Sequence, residues 1–322
     1  MVKAMPPPDA DTRLLVVAPH PDDETLGCAE LMQAVRDAGG EVAIVLLTDG
    51  EANPWPQRWI ERRWRLDAAD RRRWGALRQG EMRSALQCMG LDGIRLIRFG
   101  WPDLGITARL FDPHADAVAA LRREIRAFAP SMVLGPDLAD RHPDHGSAHV
   151  LLRLALHALG ASAPCLLGYG LHGGVVTDGG WQLPAVDTDW TLRKRVAMEC
   201  YASQLRLGGG RFRRLVRRPE IYLSPPPAAL TVNGRVRLPW RPGRLARRAG
   251  LRLMARDAGG LQSWPWDRAP LARRKDGGYD LQRQDRPWSE GPCFLRLESG
   301  VGGPWIFDTW GWWCIGPGDV DV

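Results

Sequence analysis

Two short runs combine histidine with carboxylates: Pro19-His20-Pro21-Asp22-Asp23-Glu24 near the start and Arg141-His142-Pro143-Asp144-His145 about 120 residues later. Together they supply His20, His142 and His145 with Asp22, Asp23 and Asp144. Each residue alone would fit a polar surface turn, but six at two matched stations would not, and charged groups cannot enter a core unpaired without heavy cost. Imidazole and carboxylate are the ligands of a catalytic zinc ion, which takes about three of them and keeps one position open. The implied chemistry is hydrolysis. It needs a nucleophile at neutral pH, a base within hydrogen-bond reach, and a positive group where oxyanion charge develops. The residues do not say which of Asp22 and Asp23 would hold the metal.

Both runs follow strand-sized apolar segments, Leu14–Ala18 and Met132–Gly135. Val42–Thr48, Ile94–Phe99 and Cys165–Tyr169 are further strands of this kind. Helical periodicity separates them: Val118, Leu121, Ile125 and Phe128 recur within His114–Phe128, and Met82, Ala85, Leu86 and Met89 share a face of Leu77–Met89. Alternating apolar strands and helices predict a parallel sheet covered on both faces. In such a sheet the ligand crevice lies beyond the carboxyl ends of the strands. The pattern changes after Ser224. Pro225–Pro227 reads as a stiff linker, and the remainder is rich in Arg, Gly and Trp, holding eight of the 15 tryptophans. An irregular, partly β extension packed on the core is expected there.

The two runs resemble the motifs of the PIG-L/LmbE-like zinc-dependent sugar N-deacetylases. Smaller matches fall in order: Thr48-Asp49-Gly50-Glu51, Arg78-Gln79-Gly80-Glu81, Pro102-Asp103-Leu104-Gly105, and Tyr201-Ala202-Ser203-Gln204 followed by Arg218-Pro219-Glu220. The resemblance covers roughly residues 13–223. It implies an α/β, Rossmann-like doubly wound fold with a mostly parallel sheet, preceded by a tail over 1–12 and followed by a Trp/Arg-rich extension over 224–322. It implies one zinc ion per chain held by His20, Asp23 and His145, with Fe2+ as another divalent candidate. Asp22 would be the general base, His142 would stabilise the oxyanion or protonate the leaving amine, and Asp144 would orient His142. Arg78 and Asp103 would contact substrate hydroxyls. The implied enzyme removes the N-acetyl group from a GlcNAc-type amino sugar; the basic, Trp-rich surroundings point to a sugar within a larger anionic glycoconjugate, linked to a nucleotide, lipid or phosphate. One departure is Ala29, where the family commonly has glycine. Its neighbour Cys28 reads as a small buried apolar residue rather than a ligand.

Composition narrows the rest. The chain has 322 residues, 44% hydrophobic and 25% charged, which excludes disordered and collagen-like classes. Apolar runs are too short for a membrane span, and prolines sit where a signal peptide needs an apolar core, so a cytoplasmic location is expected. Net charge is +7, carried by 41 arginines and only three lysines, a field that favours anionic partners. Nucleic acid is not expected among them. Six dispersed cysteines suggest neither a disulfide framework nor a zinc knuckle. Among the other histidines, His149 and His157 read as packing or surface residues, His114 as a helix start, and His172 as a candidate for the crevice wall. Residues 55–83 carry nine arginines and four tryptophans. They form either a lid that stacks on sugars or a surface helix using arginine stems as cover. The C-terminal tryptophans read as a small core. Two other functions fit the same residues: a zinc amidase on a non-sugar acyl amide, and a non-catalytic α/β module that binds polyanions.

Overall fold

The computed structural model describes residues 1–112, 114–173, 179–226, 228–231, 235–248, 250–282, 291–299 and 309–319. Pro227 of the linker, and Trp288 and Trp305 of the extension, lie outside the described residues. The chain forms two compact units. One comprises residues 1–106, 123–137 and 164–224; the other comprises 107–122, 138–163 and 225–322.

In chain order the elements up to Leu223 are β1 (Lys3–Ala4), β2 (Arg13–Ala18), α1 (Asp23–Asp37), β3 (Glu41–Thr48), α2 (Pro54–Glu61), α3 (Ala68–Cys88), β4 (Arg95–Trp101), α4 (Ile106–Phe111), α5 (Ala117–Phe128), β5 (Met132–Pro136), α6 (Pro143–His157), β6 (Cys165–Tyr169), β7 (Trp181–Gln182), α7 (Thr188–Glu199), α8 (Ala202–Leu215) and β8 (Tyr222–Leu223). The first unit is built on one sheet, ordered β1-β7-β8-β6-β5-β2-β3-β4. Strands β6, β5, β2, β3 and β4 run parallel, and the short β8 is antiparallel to β6 and β7. This is the mostly parallel Rossmann-like α/β layer expected from the sequence. Its strands read as continuous aliphatic runs because both faces are covered: Leu14 to Ala18 and Val42 to Leu47 are all buried. Each such Leu, Val or Ile contributes roughly 1.5–3 kcal/mol by leaving water.

The five strands expected from the sequence are all present, with ends shifted by a residue or two. The helices differ more. Helix α3 begins at Ala68, well before Leu77, because Asp67 and Asp70 close a capping box: Asp70 N–H donates to Asp67 Oδ1 at 2.8 Å and Asp67 N–H to Asp70 Oδ2 at 3.1 Å. Its first half is arginine-rich and lacks an apolar stripe, so periodicity could not show it. Helix α5 begins at Ala117 rather than His114, since Asp116 holds a positive φ of 40°. Cys28 is fully buried and burial pushes its thiol pKa up, as befits a packing residue. All six cysteines are free thiols.

The second unit is more regular than expected. It continues with β9 (Ala229–Thr231), β10 (Arg235–Arg237), α9 (Arg244–Arg248), β11 (Arg252–Asp257), β12 (Gly260–Pro265), β13 (Leu271–Arg273), β14 (Tyr279–Gln282), β15 (Cys293–Glu298) and β16 (Trp312–Asp319). These strands form a three-stranded antiparallel sheet, β10-β14-β13, and a five-stranded sheet, β12-β11-β15-β16-β9, antiparallel except for its last pair. Tryptophan makes much of its core. Trp240 and Trp266 are buried with Leu253, Leu295 and Ile315, and Trp264, Trp310 and Trp313 pack against them.

Candidate active site

The first cluster is set by the turn from β2 into α1. His20 lies two residues past the strand and Asp22 is the residue before α1. Asp22 adopts φ 116° and ψ −25°, a left-handed conformation that costs a non-glycine residue about 1–2 kcal/mol. Strain of this kind gathers at functional sites. Three contacts hold it: Asp22 N–H donates to Glu24 Oε2 at 3.1 Å, Leu26 N–H donates to Asp22 O at 2.9 Å, and Arg78 Nη2 meets Asp22 Oδ2 at 3.0 Å. Burial raises the Asp22 pKa to about 7, against the pull of Arg78; the charges of Asp23 and Glu24 add to the rise. A carboxylate poised there suits proton transfer at neutral pH.

Asp23 sits in the first turn of α1, and its Oδ2 accepts from His20 N–H at 2.9 Å and lies 3.3 Å from His20 Nδ1. Across the ring, His20 Nε2 is 3.1 Å from Asp103 Oδ1. Asp103 comes from the loop after β4 and also accepts from Ala52 N–H at 2.7 Å. Burial works against its charge, yet the His20 contact, the Ala52 N–H and the Arg78 charge hold its pKa below the usual carboxylate range. Arg78, expected to meet substrate, is only 4% exposed. Besides Asp22 it donates to Gly50 O at 2.8 Å and Pro21 O at 2.5 Å. A Cβ on Gly50 would lie 1.6 Å from Arg78 Nη1, so this glycine, at φ 65°, lets the guanidinium pass. Behind Asp22, Glu24 accepts from Thr25 Oγ1 at 2.7 Å and from the Tyr201 hydroxyl.

The smaller motifs brace the same unit. Glu81 accepts from Ser203 N–H and Oγ at 2.7 and 2.6 Å. Glu220 accepts from Glu30 N–H at 3.0 Å, Lys194 Nζ at 2.7 Å and Tyr222 OH at 2.5 Å. Of the tryptophans in residues 55–83, Trp55, Trp59 and Trp64 are exposed and Trp74 is core. Arg58 lies 5.2 Å from the centre of the Trp55 ring.

The second cluster belongs to the other unit and caps α6. His142 precedes the helix, and its Nδ1 accepts from Asp144 N–H at 3.3 Å. An accepting Nδ1 leaves the proton of the neutral ring on Nε2. His145 has the opposite polarity: its Nδ1 is 3.1 Å from Asp140 Oδ2, so Nδ1 carries the proton and Nε2 the ligating electron pair. Asp140 Oδ1 also accepts from His142 N–H at 2.9 Å. Asp144 meets His142 through its backbone amide. Asp140, Asp144 and His145 are buried, and the two imidazole centres lie 5.1 Å apart. Asp140 was missed at the sequence level. The only signal was a carboxylate in the loop between a strand and a histidine-bearing helix.

A possible His/Asp metal site is therefore present. His20, Asp103 and His172 in the first unit, and Asp140, His142, Asp144 and His145 in the second, carry donor atoms of the kind that hold metal ions. The donors fit: imidazole nitrogen with carboxylate oxygen suits zinc or iron(II), and the Asp140–His145 pair is the outer support that metal-binding imidazoles use. His172 is half-buried just after β6, His149 is buried on α6, and His157 and His114 are exposed.

Residues 15–156 match the family model described as PIG-L: GlcNAc-PI de-N-acetylase. A 1D-myo-inositol 2-acetamido-2-deoxy-alpha-D-glucopyranoside deacetylase from Rhodococcus jostii is 32% identical over 169 residues, 48% of this chain and 56% of that one. A protein of the same name from Mycobacterium avium is 36% identical over 146 residues, 41% of this chain and 47% of that one. The chain spans about half the length of the curated relatives it matches. A crystal structure of a conserved protein from Thermus thermophilus is 27% identical, covers 68% of this chain and 96% of that one, and has a TM-score of 0.49. No helix among the described residues is long and apolar enough to cross a membrane. Residues 15–156 of the chain are thus similar to the PIG-L deacetylases.

Proposed function

We propose that the protein is a metal-dependent N-deacetylase that converts the N-acetyl group of a GlcNAc-type amino sugar into acetate and a free amine. The observation that carries this reading is the pair of opposed imidazoles on α6. His145, backed by Asp140, is shaped to ligate, and His142, whose Nδ1 accepts from the Asp144 amide, offers its Nε2–H as a hydrogen-bond donor. Strands β2 and β5 are parallel neighbours, and the two His-Pro-Asp runs follow their carboxyl ends, the end at which such sheets bind ligands.

His20, Asp23 and His145 would hold one zinc ion. Bound there, zinc supplies Lewis acidity that polarises the amide carbonyl and acidifies water. Asp22 takes the proton from the attacking water, and Arg78 holds that carboxylate in place. His142 Nε2–H donates to the oxyanion as charge develops on it, and a proton must then reach the amine nitrogen as the C–N bond breaks. Asp103 lies beside His20, where it can also accept from a sugar hydroxyl. The exposed rings of Trp55 and Trp59 on α2 offer faces for stacking on a sugar. The relatives' names specify a GlcNAc–inositol substrate, and a net charge of +7 favours an anionic conjugate. Incubation of the zinc-loaded protein with N-acetylglucosaminyl-inositol, N-acetylglucosamine and UDP-N-acetylglucosamine tests this. Acetate and primary amine should appear in equal amounts from at least one of them. Release from non-sugar acyl amides alone would replace the sugar reading with that of a general amidase.

A further inference from the structure

The second unit holds a cavity of about 550 Å3 lined by four arginines, Arg244, Arg247, Arg248 and Arg273, and a single carboxylate, Asp267. Elsewhere in the unit Arg237, Arg241 and Arg274 do meet a carboxylate, converging on Asp276 at 3.2, 3.4 and 2.7 Å. No carboxylate pairs with Arg244, Arg248 or Arg273 among the described residues. Arg247 is half-buried, donates to the Tyr279 hydroxyl at 3.1 Å, and keeps a buried Nε with no hydrogen-bond partner. Gathering like charges around one cavity is unfavourable in the absence of a counter-anion. Trp266 and Tyr279 meet edge to face at 4.9 Å on the wall and give it an apolar, aromatic side.

We propose that this cavity is a binding site for a small soluble molecule that carries phosphate on a ring. Guanidinium groups grip phosphate oxygens in pairs of charge-assisted hydrogen bonds, and the aromatic wall takes the ring. A sugar phosphate and a nucleotide share this chemistry, and the cavity has room for either. The site stands apart from the deacetylase reading, because none of its residues belongs to the two His-Pro-Asp runs.

Titration calorimetry at about 0.15 M salt, where weak surface attraction is screened, tests it with pyrophosphate, glucose 1-phosphate and uridine monophosphate. Wild type should bind at least one ring phosphate more tightly than pyrophosphate; glucose 1-phosphate as the tighter ligand identifies a sugar phosphate, and uridine monophosphate a nucleotide. The double variant Arg248→Ala/Arg273→Ala changes two exposed side chains, so its fold should survive and its thermal melt should match wild type. Its affinity for the preferred probe should fall at least about tenfold, the worth of one charge-assisted contact. His145→Ala should bind as wild type does. Absence of binding by wild type, equal binding by the double variant, or loss of binding in His145→Ala would each overturn the proposal; the last would assign the anion to the catalytic cluster. Acetate release is not read, so failure here leaves the deacetylase proposal standing.

Discussion

Asp22 combines a strained backbone, a buried carboxylate and a single guanidinium partner, and its proposed role depends on all three. Replacing it with Asn keeps the shape and removes the base. Asp22→Asn should lower kcat for acetate release by roughly 10²–10⁴-fold while the metal content stays at the wild-type level. Loss of metal in that variant would make Asp22 a ligand instead. Asp140 makes the complementary case for a positioning residue. It meets His145 Nδ1 and the His142 amide. Asp140→Ala should weaken metal affinity by roughly 10–100-fold, read by competition with a chelator. Unchanged affinity would remove its orienting role.

The turns and helices that present these residues make their own predictions. Gly50 ends the β3 segment at φ 65° with Arg78 Nη1 where a Cβ would stand. Gly50→Ala should cost about 2–3 kcal/mol in urea unfolding, combining left-handed strain with displacement of a buried guanidinium. On α1, burial and then the Glu220 charge raise the Glu30 pKa above its ordinary value of 4.5. A raised folded value means that its contribution to stability is fully present below about 4.5 and is lost as pH rises through the folded value. Glu30→Gln removes that loss and can keep the 3.2 Å bond from Thr191 Oγ1. Its melting temperature relative to wild type should therefore rise between acidic and neutral pH. A difference that stays flat with pH would contradict the assignment.

What could be read in advance follows from the same physics. The five central strands were legible because burial on both faces leaves uninterrupted aliphatic runs. The two His-Pro-Asp runs were legible because charge without partners has no place at a strand end. The first half of α3 was not, since arginines on every face erase the apolar stripe and the capping box at Asp67–Asp70 was the only mark of its start. Asp140 was hidden because a lone aspartate in a loop has no pattern until His145 is placed beside it. The C-terminal sheets were obscured by short strands that mix Arg and Trp. The short apolar run Leu253–Ala255 followed by Asp257-Ala258-Gly259-Gly260 was the available hairpin signal.

At the scale of the whole molecule, the sheet of the first unit leads into one His-Pro-Asp run, and the other opens a helix of the second unit. Removing the metal with a chelator should lower the melting temperature, because an ion bound only by the folded state stabilises it, and adding zinc back should restore it. The most direct test of the central claim is elemental analysis of purified wild type beside His145→Ala. The metal site as proposed predicts about one zinc per wild-type chain and almost none in the variant, with acetate release lost in parallel. Wild-type protein that takes up no metal on reconstitution, or a variant that keeps it, would contradict the account.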